Sequence, residues 1–551
     1  MPSARAAALL ATTAAFSAIL AFILVGRRRR KQTVSDARPQ VTRRSDSRKD
    51  PFEDFRIDFS CMQQNFEPYV ASGAQPLRFV LHTHAGMERL ALNEVIAMPK
   101  SMDAVQLFGK VAFSSTLPVS ALRTLRSAED LSLLCWAAPT TTALDDVGVD
   151  PREATDATTG NLASSFREFY SSRSPEAAAW LRRLEVLLRS TALPALRKLE
   201  SAWRAAAGME VQVAPSARSH GSAAPPLSFR ASVKRSGKDV TARGVTSVCM
   251  EQLLGGLVVE LLGWRVDLKR PDLNLVLQWN EAQAMLELPL RRHRASPTPS
   301  SPSPSTGLSS SVPAPPDDSH STCLPSGEAL RPWVPAGALR GPVSWALARL
   351  ADETRAEAHH HHLNSSSSSS SSFPSKCSAC CCRMGVVLDP CVGRGGLLVE
   401  AALACHAPAR PDDSRASACC CRFIGVDEDS NQLAAACAAA RRAGMSHNVS
   451  FVRGDCTALP LASASIDTVL VDLPFGKQHK AKGMALSELY ERSVAEAARV
   501  CRPGGVLVAL STHKHMLSRA VRSDARWEPA TRHELSFGGL TAFAVAARRV
   551  S

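Results

Sequence analysis

The feature that most constrains this fold is an alternation of short apolar runs and helical segments in the last third of the chain. Strands that alternate with helices form a parallel sheet covered by helices on both faces. The sequence therefore predicts a doubly wound α/β domain over residues 328–551. The predicted strands span 385–389, 422–427, 449–453, 466–472, 505–510 and a closing antiparallel edge or hairpin strand at 540–549, and the predicted helices span 344–357, 396–405, 429–443 and 486–501.

The part of the chain before this domain has a mixed pattern. Residues 71–294 carry strand and helix signals without regular alternation, and low-complexity patches interrupt them, so we predict an α+β module with an internal insertion. The stretch 295–327 is dense in Ser and Pro, cannot build a core and is predicted to be a linker. The predicted strands of the module span 77–81, 109–113, 228–234, 273–279 and 284–290, and the predicted helices span 86–95, 119–134, 177–207 and 245–262.

The N-terminal segment 1–31 has two interpretations. Residues 6–26 are uncharged and mostly apolar, and about 20 such residues suffice to cross a bilayer as a helix. Five basic residues follow at 27–31, which favours a membrane anchor with the rest of the chain in the cytoplasm. A cleaved organelle-targeting sequence is the alternative, because the segment is rich in small residues and lacks acids. Residues 32–70 are predicted to form a polar tether.

Charge and cysteine content give weak information about partners. The net charge is +14, but residues 1–50 hold 11 basic and 3 acidic residues, a net charge of +8. More than half of the excess therefore lies in the N-terminal flank. The runs 380–382 and 419–421 account for six of the 16 cysteines and do not resemble a spaced disulfide framework, which favours a reducing compartment. Biased composition explains these runs and the four histidines at 359–362 better than metal binding does, so no metal is predicted.

A glycine-containing turn follows the first strand of the C-terminal domain. It begins at Asp389 and contains Gly393 and Gly395, which let the backbone approach a ligand closely at the start of a helix. Ligands of such sheets bind at the carboxyl ends of the strands, near the point where the strand order reverses. The turn alone leaves three interpretations open: a structural turn, a dinucleotide site and an S-adenosylmethionine site.

Acids at the ends of the following strands narrow this choice. Asp427 ends the second strand, where a carboxylate can accept both ribose hydroxyls, and Asp455 follows the third, where it can accept an adenine amine. Each acid alone is compatible with a helix cap or a solvated loop. Together with Asp389 and Asp472 they place a carboxylate after four successive strands, which a structural role explains poorly. Asp427 also fits a nicotinamide cofactor.

The fourth strand ends in Asp472, Leu473, Pro474 and Phe475. A guanine amine is a poor nucleophile, and the Asp472 carboxylate and the Leu473 carbonyl could accept its hydrogens, orient the nitrogen and stabilise the developing positive charge. Pro474 fixes the turn, and Phe475 offers a face on which an extruded base can stack. The motif favours methyl transfer from S-adenosyl-L-methionine to an exocyclic amine.

These residues resemble those of the THUMP-domain-containing guanosine-N2 RNA methyltransferases, whose class I domain carries a D-P-M-C-G-x-G loop and a D-L-P-F-G-K motif. The resemblance extends to the N-terminal half through Gly86-Met87-Glu88, 109–111, 125–129, 229–237 and 263–268. It implies a class I (Rossmann-like) methyltransferase domain preceded by an α+β THUMP RNA-binding module. It further implies structured RNA as substrate, with tRNA expected and U6 snRNA as the alternative, and a small zinc-ribbon activator subunit as partner.

The sequence departs from this family at three places. Val392 stands at the usual Cys position, and Arg394 places a bulky cation where a small polar residue is usual. Insertions at 295–327 and 406–421 lengthen two connections. The apolar segment 6–26 is not a trait of the family. An alternative function is therefore a non-catalytic, membrane-tethered RNA-binding protein, whereas a nicotinamide oxidoreductase would leave the 472–475 motif unexplained.

Overall fold

The computed structural model describes residues 53–55, 68–140, 164–207, 226–236, 244–280, 283–290, 337–365, 384–406, 421–474, 484–537 and 539–550. The predicted anchor at 6–26, nearly all of the tether 32–70 and the linker 295–327 lie outside these ranges. No helix within the described ranges is both long and apolar enough to cross a membrane. The first described strand, β1 (Glu53–Phe55), belongs to the second of two sheets.

The N-terminal module contains the first sheet. Its strands are β2 (Tyr69–Val70), β3 (Leu77–His82), β4 (Ser101–Leu107), β5 (Lys110–Ser115), β6 (Asp130–Pro139), β7 (Ser228–Arg235), β8 (Arg265–Val266), β9 (Leu273–Trp279) and β10 (Gln283–Pro289). They lie in the order β4-β5-β3-β6-β10-β9-β7-β8, and β2 pairs with β6. The predicted strand pair at 273–279 and 284–290 is confirmed as the antiparallel neighbours β9 and β10.

Helices pack against one face of this sheet. They are α1 (Glu88–Ala97), α2 (Val119–Leu122), α3 (Ser164–Ser171), α4 (Pro175–Leu187), α5 (Leu193–Ala206) and α6 (Ser247–Leu262), with a π-helical turn at Leu188–Ala192 between α4 and α5. Local signals set their ends, since Ser174 accepts a hydrogen bond from the Ala177 amide at 3.3 Å and Gly263 ends α6 in the left-handed region. Trp203 and Phe229 are fully buried between helices and sheet.

The predicted helix at 119–134 is wrong. Only Val119–Leu122 is helical, and Asp130–Pro139 forms β6, a central strand. Because β6 is buried on both faces from Leu131 to Ala137, its apolar run lacks the alternation that marks a half-exposed strand. The strands β2, β4 and β8 are additional to those predicted, and β4 is largely exposed or half-exposed.

The C-terminal domain contains the second sheet. Its remaining strands are β11 (Val386–Asp389), β12 (Arg422–Asp427), β13 (Val449–Arg453), β14 (Ile466–Asp472), β15 (Cys501–Ser511), β16 (Trp527–Phe537) and β17 (Leu540–Arg549). They lie in the order β1-β16-β17-β15-β14-β11-β12-β13, with β11 to β15 mutually parallel. The strand predicted at 540–549 is confirmed as a hairpin partner, but it lies inside the sheet because β16, which the sequence analysis did not predict, pairs beyond it.

Helices cover both faces of the second sheet, which confirms the predicted doubly wound α/β domain. The core on one face includes α7 (Gly341–Ser365), α8 (Gly396–His406) and α9 (Ser430–Arg442), and the core on the other includes α10 (Leu486–Val500) and α11 (Lys514–Ser523). The chain runs outward from β11 to β13 and then returns to place β14 beside β11. The strand order therefore reverses between β11 and β14, where such folds bind ligands.

A tight contact joins the N-terminal module to the C-terminal domain. Met87 and Leu90 of the module are buried in the core of the domain, beside its α7 and α8. The Ser536 amide donates to the Ala85 carbonyl at 2.9 Å. The buried Glu88 carboxylate holds this loop, since it accepts hydrogen bonds from the amides of Gly86 at 2.7 Å and Gly109 at 2.8 Å. The Gly-Met-Glu motif is thus the joint between the two halves.

Ion pairs surround this joint. Arg126 Nη1 lies 3.2 Å from Glu400 Oε1, and Glu400 is completely buried in α8. Arg340 pairs with Glu129 at 2.7 Å across the same boundary. Glu400 is buried, and its ion pair with Arg126 offsets part of the cost of removing the carboxylate from water. These contacts therefore favour one arrangement of the two halves.

Gly86 and Gly109 form a matched pair for testing the joint. Both have positive φ, but a Cβ at Gly86 would collide with the Glu534 carbonyl oxygen, whereas a Cβ at Gly109 has 3.7 Å to its nearest neighbour. We expect Gly86→Ala to lower the free energy of unfolding by about 3 kcal/mol or more, and Gly109→Ala by about 1 to 2 kcal/mol. Urea denaturation of both variants measures the two losses of unfolding free energy. Equal losses would contradict the close packing of Gly86 against the Glu534 carbonyl.

Candidate active site

Asp389 lies at the centre of the site, at the end of β11. Its side chain is buried, and its Oδ1 accepts a hydrogen bond from the Cys391 amide at 3.1 Å. Burial raises the pKa of this carboxyl well above its usual value, and the negative charges of Asp472 and Asp427 raise it further. The three acids that end β11, β12 and β14 therefore lie close enough to interact electrostatically.

The glycines of the turn after β11 have different roles. Gly393 has φ +50°, no described neighbour lies within 4 Å of where its Cβ would be, and its amide donates to Asp427 Oδ2 at 2.9 Å. Gly395 has φ +82°, and a Cβ there would lie 2.9 Å from the Ala436 Cβ of α9. Gly393 thus leaves open space at the turn, whereas Gly395 is required for close packing of the turn against α9. The side chain of Arg394, between them, is exposed, which places it away from the packed interior of the turn.

Asp427 organises the loops that follow β11, β12 and β13. Besides the Gly393 amide, its carboxylate accepts the Asp429 amide at 2.9 Å, and its backbone carbonyl accepts the Gly454 amide at 3.0 Å. The carboxylate is half-exposed, so its oxygens keep acceptor capacity toward solvent. Asp427 therefore has a structural role in addition to the ligand-binding role predicted from the sequence.

Asp455 lies two residues after β13. Its Oδ1 accepts hydrogen bonds from the Thr457 amide at 2.7 Å and the Thr457 hydroxyl at 2.8 Å. The side chain is half-exposed, and the loop that carries it is attached to the end of β12 through Gly454. Asp455 is thus held near Asp427 at the carboxyl end of the sheet. In the strand order it lies beyond β11 and β12 as seen from β14.

Asp472 is the most unusual acid of the site. Its Oδ1 is buried, and among the described residues none donates a hydrogen bond to it. Burial raises the pKa of this carboxyl from 3.8 to about 7. A buried acceptor without a donor costs free energy in a folded protein, and such groups concentrate at functional sites. The atom is available to accept a hydrogen from a ligand.

The residues after Asp472 are held by contacts that the sequence analysis did not predict. The Leu473 amide donates to the Leu510 carbonyl at 3.0 Å, and the Tyr490 hydroxyl donates to the Pro474 carbonyl at 3.0 Å. Tyr490 is fully buried on α10 and also lies 2.8 Å from the Ser511 hydroxyl at the end of β15. Phe475 lies outside the described residues. Tyr490 is one of only three tyrosines in the chain, and this scarcity is the only feature of the sequence that could have pointed to its role.

The raised pKa of Asp472 predicts an unusual dependence of stability on pH. In the folded state the carboxyl keeps its proton up to about pH 7, whereas in the unfolded chain it loses the proton near pH 4. The folded state therefore loses up to about 4 kcal/mol as the pH rises from 4 to 7. We expect Asp472→Asn to be more stable than the natural protein at pH 8 and nearly equal to it at pH 4, as measured by chemical denaturation.

Asp524 provides a control of opposite sign. Burial raises its pKa, but hydrogen bonds from Arg526 outweigh burial and hold the pKa below the usual value. Its ionised form stabilises the fold above about pH 4, and this contribution is lost as the pH falls. Asp524→Asn should therefore destabilise the protein at pH 8. A destabilising effect of Asp472→Asn at pH 8 would contradict the assignment of Asp472 as a buried acid without a partner.

Comparison with known proteins identifies the kind of domain that carries this site. Residues 382–542 match the family model described as UPF0020: RMKL-like, methyltransferase domain. These residues include all the acids described above. The C-terminal domain is therefore a methyltransferase domain, which confirms the class predicted from the sequence.

Two curated relatives extend the comparison. The Bos taurus protein U6 snRNA (guanine-N(2))-methyltransferase THUMPD2 is 26% identical over 289 residues, which are 52% of this chain and 42% of that protein. The Mus musculus protein tRNA (guanine(6)-N(2))-methyltransferase THUMP3 is 26% identical over 166 residues, which are 28% of this chain and 31% of that protein. The matches thus span less than half the length of these relatives. The resemblance to guanine-N2 RNA methyltransferases is confirmed.

A solved structure shares the fold. TrmN from Thermus thermophilus has a TM-score of 0.51 and 19% sequence identity, and the superposition covers 86% of this chain and 100% of that chain. The likeness at this identity concerns the fold, and its coverage includes both the N-terminal module and the C-terminal domain.

Proposed function

We propose that this chain transfers a methyl group from S-adenosyl-L-methionine to the N2 amine of a guanosine in structured RNA. The observation that carries the proposal is the buried Asp472 Oδ1, which lies at the reversal of strand order and accepts no hydrogen bond from the described residues. In a methyltransferase domain, such an acceptor suits a substrate that donates a hydrogen, and an exocyclic amine is such a group.

The described residues fit the cofactor. The open space at Gly393 suits the methionine part, the half-exposed Asp427 suits the ribose hydroxyls, and Asp455 suits the adenine amine. When bound, S-adenosyl-L-methionine supplies an electrophilic methyl group. Asp389 supports the turn by accepting the Cys391 amide. Arg394 is exposed beside this turn, and a non-catalytic, membrane-tethered RNA-binding protein is the alternative function.

The chemistry of Asp472 follows from its burial. The ionised carboxylate accepts a hydrogen of the guanine amine, orients the nitrogen and stabilises positive charge as it develops there. A pKa of about 7 also suits the carboxyl to take up the proton that the methylated amine releases. The Leu473 carbonyl is the second acceptor in this proposal. Tyr490 fixes the backbone at Pro474 and so holds the two acceptors in register.

The RNA substrate is proposed from the relatives of this chain. The relatives named for U6 snRNA match 52% of this chain, whereas the relative named for tRNA matches 28%. This difference supports testing U6 snRNA first and tRNA second. The N-terminal module is proposed to bind the RNA, and the contact through Met87 and the Arg126–Glu400 pair keeps it in place beside the catalytic domain.

Further partners and location complete the proposal. A small zinc-ribbon activator subunit is proposed from the family resemblance. Residues 6–26 are proposed to anchor the chain to a membrane that faces the cytoplasm, with organelle targeting as the alternative. A fluorescent reporter fused to residues 1–35 distinguishes these locations, and diffuse fluorescence would exclude both.

The catalytic role of Asp472 is tested by methyl transfer from labelled cofactor to U6 snRNA and tRNA transcripts with the activator subunit present. We expect Asp472→Ala to lower transfer by about 1000-fold or more, because the amine loses its acceptor, while cofactor affinity stays within about threefold. Asp524→Asn, which changes an acid outside the site, is the control and should retain transfer. Normal transfer by Asp472→Ala would reject the proposed role.

Tyr490→Phe tests whether the backbone after Asp472 must be held. Loss of the hydroxyl removes the hydrogen bonds to the Pro474 carbonyl and to Ser511. We expect kcat to fall by about tenfold and KM for the cofactor to stay unchanged, because the hydroxyl positions the acceptors without contacting the cofactor. Ser511→Ala should produce a smaller fall in kcat. An increase in KM alone would indicate that Tyr490 acts on cofactor binding instead.

A further inference from the structure

The last turn of α10 binds the connection between β13 and β14, residues 454–465. Glu496 Oε2 accepts a hydrogen bond from the Leu459 amide at 2.9 Å, and Arg499 Nη2 donates to the carbonyl of the same leucine at 3.0 Å. Arg499 Nη1 donates to the Leu461 carbonyl at 2.9 Å. Two side chains of one helical turn therefore bind three backbone groups of this loop.

Arg499 and Glu496 also fix each other. The Nε and Nη2 atoms of Arg499 donate to the two carboxylate oxygens of Glu496 at 2.9 and 2.8 Å, a bidentate pair that sets the plane of the guanidinium. These hydrogen bonds raise the pKa of Arg499 and lower the pKa of Glu496, so both side chains are charged at neutral pH. Because its plane is set, the guanidinium can direct its other hydrogens to the two loop carbonyls.

Packing connects these hydrogen bonds to the start of the loop. Pro460 lies between the two bound leucines, and a Cβ at Gly454 would lie only 2.8 Å from the Pro460 Cδ. Pro460 therefore packs closely on Gly454, which directly precedes Asp455 and donates its amide to the Asp427 carbonyl at 3.0 Å. The loop is thus attached to β12 through Asp427 and to α10 through Arg499.

We propose that Arg499 is a positioning residue that makes the cofactor site selective for adenine, a role that rests on the proposed function. In that function the Asp455 carboxylate accepts a hydrogen of the adenine amine, so it must stay within hydrogen-bonding distance of that amine. The side chain of Asp455 is half-exposed, and its hydrogen bonds come from Thr457 in the same loop. The position of the carboxylate therefore depends on the position of the loop.

Selectivity follows from the acceptor chemistry of Asp455. Adenine presents an amine donor at position 6, whereas hypoxanthine presents a carbonyl oxygen there. A carbonyl that faces a carboxylate leaves two acceptors with no hydrogen between them, and a site built around a hydrogen-bonded amine rejects such an analogue by a large factor. When the loop is no longer bound by Arg499, the carboxylate can move away and water can separate it from the base. Both bases are then bound with similar affinity.

Calorimetry of the full chain with S-adenosyl-L-homocysteine and S-inosyl-L-homocysteine tests this role. We expect the natural protein to prefer the adenine compound by at least about 30-fold, and Arg499→Met to reduce this preference to about threefold or less. Arg499→Lys should show an intermediate preference, because an ammonium group keeps the charge but cannot bind Glu496 and two carbonyls in one plane. An unchanged preference in Arg499→Met would overturn the inference.

Arg526→Met is the matched control. The guanidinium of Arg526 also pairs with an acid and binds a carbonyl of α10, since it donates to Asp524 at 2.6 Å and to the Ala495 carbonyl at 3.0 Å. Its described hydrogen bonds do not reach the loop 454–465. We expect Arg526→Met to lose as much stability to chemical denaturation as Arg499→Met does, but to keep the preference for adenine. Loss of the preference in both variants would overturn the inference, because general loosening of α10 would then explain it.

Hydrogen exchange of the cofactor-free protein separates the inference from the proposed function. We expect the peptide that contains Leu459 to exchange at least about tenfold faster in Arg499→Met and within about twofold of the natural rate in Arg526→Met. Unchanged exchange in Arg499→Met would overturn the binding of the loop by Arg499. Failure of the natural protein to bind either compound would reject the proposed function and the selectivity with it, and the exchange rates would still decide whether Arg499 holds the loop.

Discussion

The arrangement of the site depends on the hydrogen bonds that converge on Asp427. Its carboxylate holds the amides of Gly393 and Asp429, and its carbonyl holds the amide of Gly454. One residue at the end of β12 thereby fixes the loops that follow three adjacent strands. The positions of these loops and of the acids that they carry follow from this point of attachment.

Burial gives the site its chemical character. Asp389 and Asp472 lie at the ends of neighbouring strands, where the apolar cores on both faces of the sheet exclude water, and their pKa values are raised by burial. The fold is destabilised by carboxylates kept in this environment, and the large cores around β14 and β15 offset that cost. Burial would strengthen a hydrogen bond from an amine to Asp472, because water is excluded from the surroundings of this carboxyl.

Packed side chains and hydrogen bonds connect the N-terminal module to the domain that carries the site. Met87 is buried in the core of the C-terminal domain, and Glu88 beside it binds the amides of Gly86 and Gly109 in the N-terminal module. Glu400, which pairs with Arg126 of the module, lies one turn into α8, the helix that begins after the Gly393–Gly395 turn. The surface that binds RNA in the proposed function is thus connected to the catalytic domain by packed side chains and by ion pairs.

The sequence alone determined the alternation of strands and helices in the C-terminal domain, the acid after each of four strands and the class of reaction, because local periodicity records which residues face a core. It misassigned 119–134, since the buried strand β6 is apolar on both faces and lacks that periodicity. Only the tertiary structure decided that Tyr490 holds Pro474, that Gly86 packs against Glu534 and that Asp427 holds the amides of Gly393 and Gly454. These contacts join residues far apart in sequence, and the order of strands in the sheets, which no local pattern encodes, brings them together.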